Sequence, residues 1–136
     1  VHIDRERYRN KILSARLTAR RIAEIRRPGD TVIVLGDFNS LRWSRVVRIV
    51  AEGAGLEVAP GDGATFHYYR GVHLFPAIDH VLFDSVGDND GPELSGREPN
   101  APVGLTHVRT RVLRLRLAGV WPSDHYPLVV DLLATP

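Results

Sequence analysis

Thr31-Val32-Ile33-Val34-Leu35-Gly36-Asp37-Phe38-Asn39-Ser40 sets an apolar, β-branched run directly against a polar turn. Val32 to Leu35 is the longest strictly apolar run in the chain, at four residues. Its composition and its turn-forming borders predict a buried strand over 31–35. Gly36 to Leu41 then reads as a loop, which leaves Asp37 and Asn39 just beyond the strand. Two residues apart, they can project toward one point above a sheet edge. A carboxylate and a carboxamide there suit a hard divalent cation or a phosphate. The same residue types also make a plain turn in which Asp and Asn cap their own backbone. On these residues alone both readings stand.

Residues 4–27 predict a long helix with Asp4 as N-cap. Tyr8, Ile12, Ala15, Ala19 and Ile22 recur at helical spacing as one apolar stripe. Pro28-Gly29-Asp30 ends it. A second helix is expected over 43–52 with Val46, Val47 and Val50 inward, stopped by Gly53 and Gly55. Residues 56–76 read as irregular, 78–83 as a strand and 84–104 as a long polar loop. An Arg-laced strand follows over 106–117, where Leu113, Leu115 and Leu117 alternate with Arg114 and Arg116. The pair Val112-Leu113 breaks the alternation and suggests a bulge or a change of face. A last strand closes the chain over 128–133. Strands interleaved with two helices, then a run of strands, give an α/β (α+β) sandwich.

Two further acid-bearing turns stand out. In Ile78-Asp79-His80 a charged residue sits within a strand, where it is costly unless paired, and its natural partner is a histidine. An edge-strand Asp facing water is the other reading. His80, on the opposite strand face, reads as a structural or surface residue. In Pro122-Ser123-Asp124-His125-Tyr126-Pro127 an adjacent Asp and His lie between two prolines, which restrict the backbone as a positioned site requires. That pattern suits a metal-binding carboxylate beside a general base, or a plain loop with a surface histidine.

At 136 residues, 43% hydrophobic and 25% charged, the chain reads as one soluble globular domain. The absence of Cys excludes disulfide scaffolds, thiolate zinc sites and cysteine nucleophiles. No run approaches the ~18–20 apolar residues of a spanning helix, and no secretory leader pattern opens the chain. There are 17 Arg and one Lys, a bias of the kind GC-rich codon usage produces. Net charge is +2 but uneven: residues 1–27 carry nine basic against three acidic side chains, and 84–98 one against five. A basic helix beside an acidic loop steers anions, and it is equally an ordinary solvated face. With no Met and a first residue of Val, the chain is expected to be a processed product or a piece of something longer.

Gly-Asp-Phe-Asn-Ser, then Ile-Asp-His, then Ser-Asp-His-Tyr-Pro, in that order at strand ends, resembles the endonuclease/exonuclease/phosphatase family. These are the deoxyribonuclease-I-like metal-dependent phosphoesterases. Val1-His2-Ile3-Asp4 before an Arg-rich helix resembles the family's Thr-His-Leu strand and its following helix. Thr65-Phe66-His67 resembles its Thr-Phe segment. The resemblance implies a four-layer α/β/β/α sandwich, of which residues 1–136 are the C-terminal part: one mixed sheet with two helices on its outer face.

It also implies roles. Asp37 orients or deprotonates the attacking water, and Asn39 contacts the scissile phosphate. Asp124, with Asp37 and Asn39, holds Mg²⁺ or Mn²⁺. His125, paired with Asp79, acts on the proton or the phosphate, and His2 contacts a phosphate oxygen or assists the leaving group. Such a site hydrolyses a phosphodiester or phosphomonoester by activated-water attack at phosphorus.

The family's principal metal-binding Glu and a nearby Asn lie on strands preceding the His-containing one, and none of the six Glu here has that context. One sheet of a two-sheet sandwich has an apolar inner face, each large side chain of which is worth about 1.5–3 kcal/mol when buried. The expected partner is the missing N-terminal half or a second copy. Alone, the chain is expected to be weakly folded, aggregation-prone or self-associated, since whole domains are stable by only about 5–15 kcal/mol. The alternatives are a catalytically inactive half-domain serving as a binding or structural module, and a nucleic-acid-binding module using the first helix with Arg109, Arg111, Arg114 and Arg116. Nucleic acid, lipid and small phosphoesters all remain open as substrates. The loop after Leu56, with Phe66, His67 and a phosphate-binding Arg70, is the expected place of that choice, though its aromatics serve equally well as core filler.

Overall fold

The computed structural model describes residues 5–67, 76–85 and 103–135. Helix α1 runs Arg5–Ile25 and carries the expected stripe: Ala15 and Ala19 are buried, and Ile12 and Ile22 are half-buried against the core. Tyr8 stays exposed. Asp4, the expected cap, lies outside the described residues.

Strand β1 is Ile33–Asp37, two residues later than expected, so Asp37 belongs to the strand and not to the loop; nor is it the buried strand expected, since Ile33 and Leu35 are exposed. The cause of the shift is its partner. β1 pairs antiparallel with β3 (Asp79–Phe83) from Ile33↔Phe83 to Asp37↔Asp79, and the Phe38 amide still reaches Ile78 O at 2.9 Å.

Between them α2 spans Arg45–Ala54. Ser44 takes an extended N-cap conformation and its side chain accepts from the Val47 amide, satisfying one orphan donor of the first turn. Gly55, at φ 67, takes the left-handed C-cap. Gly53 does not stop the helix. It lies inside it, where a Cβ would stand 2.8 Å from Ala19 Cβ. The missing side chain lets α1 and α2 approach closely.

Among the described residues of the irregular stretch, one short strand, β2 (Glu57–Val58), forms before Pro60, Gly61 and Gly63 turn the chain away. β4 (Gly104–Val112) and β5 (Leu128–Thr135) form a long hairpin. The register shift falls between His107 and Arg109, not at Val112-Leu113. Leu113, Leu115 and Leu117 lie beyond the strand: Leu117 and Val120 close a turn on each other, and Leu115 and Leu117 face solvent.

The α/β architecture is the expected one, but the sheet is divided. β1-β3-β2 and β4-β5 are separate antiparallel sheets, joined by a parallel bridge between Ser85 and Leu105. β4 meets the chain just beyond β3 at that bridge, where the Leu105 amide donates to Asp84 O at 2.8 Å.

β3 is the shared wall. On one side Leu82 packs with Ala15, Val46, Val50, Ala51 and Leu56 beneath the two helices. On the other, Val81 and Phe83 meet Ala59, Leu105, Val130 and Leu132. This alternation follows from the period of two along a strand, and it places Asp79 on the hairpin side. Among the described residues no helix is long and apolar enough to cross a membrane.

Candidate active site

Three pieces of backbone meet at one end of β3. Asp37 ends β1 and Asp79 begins β3, directly opposite it. The turn that feeds β5 brings His125, whose Nδ1 lies 2.8 Å from Asp79 Oδ2. Both side chains are mostly buried, at 26% and 20% exposure. An ionised carboxylate only accepts, so Nδ1 carries the proton and the neutral ring presents a bare Nε2 on its far side.

The turn itself is held from several directions. Ser123 Oγ accepts from the His125 amide at 3.1 Å. Tyr126, 2% exposed, stacks on the fully buried His67 at 4.2 Å, and Trp121 packs against both rings. Phe66 sets its ring edge-on against His125 at 5.0 Å. Phe66 and His67 therefore pack the turn; Arg70 lies outside the described residues.

Burial of the ring is the largest single influence on His125 and works to lower its pKa. The hydrogen bond and charge of Asp79, with the charges of Asp37 and Asp124, together outweigh it and leave the pKa above the ordinary histidine value of 6.5.

Asn39 joins this group through Asp37. Its amide donates to Asp37 Oδ1 and its Nδ2 to Asp37 Oδ2, both at 2.7 Å. Asn39 sits at φ 46, a left-handed conformation that Asn tolerates better than most residues. Lys11 Nζ donates to its carbonyl. His80, buried behind the sheet, holds Ser40 O at 2.7 Å and packs on Phe38. The structural role expected of His80 is thus specific: it anchors the loop that carries Asn39.

Asp37, Asn39, Asp79, Asp124 and His125 are accordingly brought to one place. His2, like Arg70, lies outside the described residues. Lys11 stands in no motif, and Thr65 and Ser123 are marked in the sequence only as members of the Thr-Phe and Ser-Asp-His-Tyr-Pro segments; each acts through hydrogen bonds to or from backbone atoms, which no residue pattern reveals. Of the arginines considered for nucleic acid, Arg109 and Arg111 are bound to Asp131 at 3.2–3.3 Å, and Arg116 lies over the Trp121 ring.

The fit to a divalent cation is incomplete. Among the described residues no three His, Asp or Glu side chains group as a cation site. Asp37 offers both oxygens to Asn39, and Asp79 commits one to His125. The Mg²⁺ or Mn²⁺ implied by the resemblance thus finds no full ligand set among the described residues.

Residues 2–125 match the profile of the Endonuclease/Exonuclease/phosphatase family. Among solved structures, a mannosyl-6-phosphatase of Bacteroides thetaiotaomicron is similar in fold, with a TM-score of 0.63 and 21% sequence identity. The likeness covers 90% of this chain and 45% of that one, so this chain spans a little under half the length of that structure. No curated protein sequence matches it.

Proposed function

This chain belongs to the endonuclease/exonuclease/phosphatase family, and we propose on that premise that it carries the proton-handling part of a phosphoester hydrolase. Residues 1–136 are then the C-terminal part of the domain. The observation that carries this reading is the 2.8 Å contact between His125 Nδ1 and Asp79, with Asp37 and Asp124 close enough to act on the same ring.

The roles follow from the environments. Asp79 holds the imidazole by Nδ1 and so aims Nε2 outward. Its negative charge enlarges the imidazolium population near neutral pH. A protonated Nε2 is a charged donor toward a phosphoryl oxygen, where negative charge grows as the attacking oxygen arrives. Asp37, exposed on the strand end opposite Asp79, is the carboxylate that orients the attacking water and takes its proton. Asn39 stands beside it to contact the phosphate. Two groups of opposite task, separated by environment, are what such a reaction needs.

The test is hydrolysis of bis(4-nitrophenyl) phosphate and of a phosphomonoester, with and without Mg²⁺ or Mn²⁺. Turnover that falls by about 100-fold or more in both His125→Ala and Asp37→Ala supports the assignment. Unchanged rates in either variant overturn its role.

A second reading, an inactive half-domain used for binding or scaffolding, is favoured by the incomplete cation site among the described residues. Absence of wild-type turnover under every metal condition decides for it.

A further inference from the structure

Thr65 is fully buried, in a segment with no regular strand or helix, yet its hydrogen bonds reach both halves of the Asp79–His125 pair. Its Oγ1 accepts from the amides of Ile78 at 3.0 Å and of Asp79 at 3.2 Å. Its carbonyl accepts from the amide of Tyr126, next to His125, at 2.6 Å. The two following residues continue the contact: Phe66 bridges antiparallel to His125, and the His67 amide donates to Asp124 O at 2.9 Å.

The need for this arrangement is set by the sheet. β2 ends at Val58, with the Ala59 amide still reaching Val81 O. Farther along that edge β3 has no β2 residue beside it, and the Thr65 hydroxyl supplies the acceptor that a strand carbonyl would. A hydroxyl oxygen has two lone pairs and can accept from two amides.

We propose that Thr65 is a positioning residue of the site, its hydroxyl fixing the backbone of Asp79 and its carbonyl fixing the His125 turn, so that one buried residue sets the distance between them. The inference deepens the functional reading above and rests on it for its importance to catalysis. The geometry itself can be tested without turnover. Valine has threonine's shape without the acceptor, and serine keeps the acceptor without the methyl.

The experiment is proton and nitrogen NMR of the protein as wild type, Thr65→Val and Thr65→Ser, with near-UV circular dichroism to verify folding. An imidazole N–H held by a carboxylate gives a downfield, slowly exchanging line, expected for His125 Nδ1–H in the wild type and in Thr65→Ser. In folded Thr65→Val that line is lost or exchanges at least about tenfold faster. A folded valine variant with an unchanged line overturns the proposal, as does a serine variant that loses the line as fully as valine. Should the valine variant not fold, amide exchange in the wild type decides. Protected Ile78 and Asp79 amides, with the serine variant retaining the line, sustain the proposal; amides exchanging as fast as those of exposed loops overturn it. Failure of wild-type hydrolysis would remove the functional reading and leave these outcomes standing, because they are read on a proton and not on a product.

Discussion

Asp37 and Asp79 are direct cross-strand partners, two carboxylates facing the same side of adjacent antiparallel strands. Like charges in that relation oppose folding, by up to about 1 kcal/mol. The arrangement is explained if the site needs both. Asp37→Asn keeps an oxygen for the Asn39 amide, and a flip of the Asn39 carboxamide restores the second bond. The expected result is a gain of about 0.5 kcal/mol in unfolding free energy together with loss of phosphoester hydrolysis. Denaturant melts and turnover on the same preparation check it, and a variant that is both less stable and fully active contradicts it.

Asp79 is the strongest upward influence on His125, through both a hydrogen bond and its charge. In Asp79→Asn the charge is gone and the His125 pKa falls toward or below 6.5. If imidazolium is the working form, wild-type activity declines as pH rises through the raised pKa. The alkaline limb of the variant therefore moves to lower pH, and its maximal rate drops by about 100-fold. A pH–rate profile of kcat for both proteins reads this directly; a limb that moves to higher pH would reverse the assigned protonation state.

How much of this was legible beforehand differs by element. The stripe of α1 and the valines of α2 were readable, because a helical period against a single core face leaves a regular mark. The three acid-bearing turns were readable as residue types in order, and the pairing of Asp79 with a histidine followed from the cost of a charge inside a strand. The alternative at Asp37 proved equally real: its oxygens do cap the Asn39 backbone, as turn-forming residues do. The division of the sheet was not legible, since no residue pattern says that β4 pairs with β5 and not with β3. Gly53 reads as a stop in sequence because a glycine needed for helix contact and one needed for a C-cap, two positions apart, look alike. Thr65 was legible only as part of the Thr-Phe segment, and its role was not, since its partners are backbone amides more than ten residues away.

β1 is the edge of its sheet, and on its hairpin side Leu35 is 73% and Ile33 47% exposed. An open edge beside exposed apolar side chains is a template for association. We expect the chain to self-associate at concentrations of about 100 µM through this strand, the place a complementary half of the fold would otherwise take. Light scattering after size exclusion measures it. Leu35→Lys, a charge on the edge strand, should shift the population to monomer. A wild type that is already monomeric at that concentration refutes the expectation.

The tightest helix contact gives the clearest packing test. At Gly53 an added methyl would lie 2.8 Å from Ala19 Cβ, closer than real Cβ atoms come, and both partners sit on helices whose backbones fix their positions. Overpacking of this kind costs about 1–3 kcal/mol, while replacing an interior helical glycine by alanine returns about 1 kcal/mol of helix propensity. The net effect of Gly53→Ala is therefore a loss of roughly 1 kcal/mol, against the gain that propensity alone would give. Ala19→Gly on its own also destabilises, since it removes a buried methyl and puts glycine into α1. In combination the clash disappears, so the double variant is more stable than the sum of the single effects. A thermodynamic cycle by urea denaturation measures that coupling directly. If Gly53→Ala proves stabilising, or the cycle closes with no coupling, α1 and α2 do not meet at these two residues, and the helix layer behind Asp37 and Asp79 is packed differently from the arrangement described.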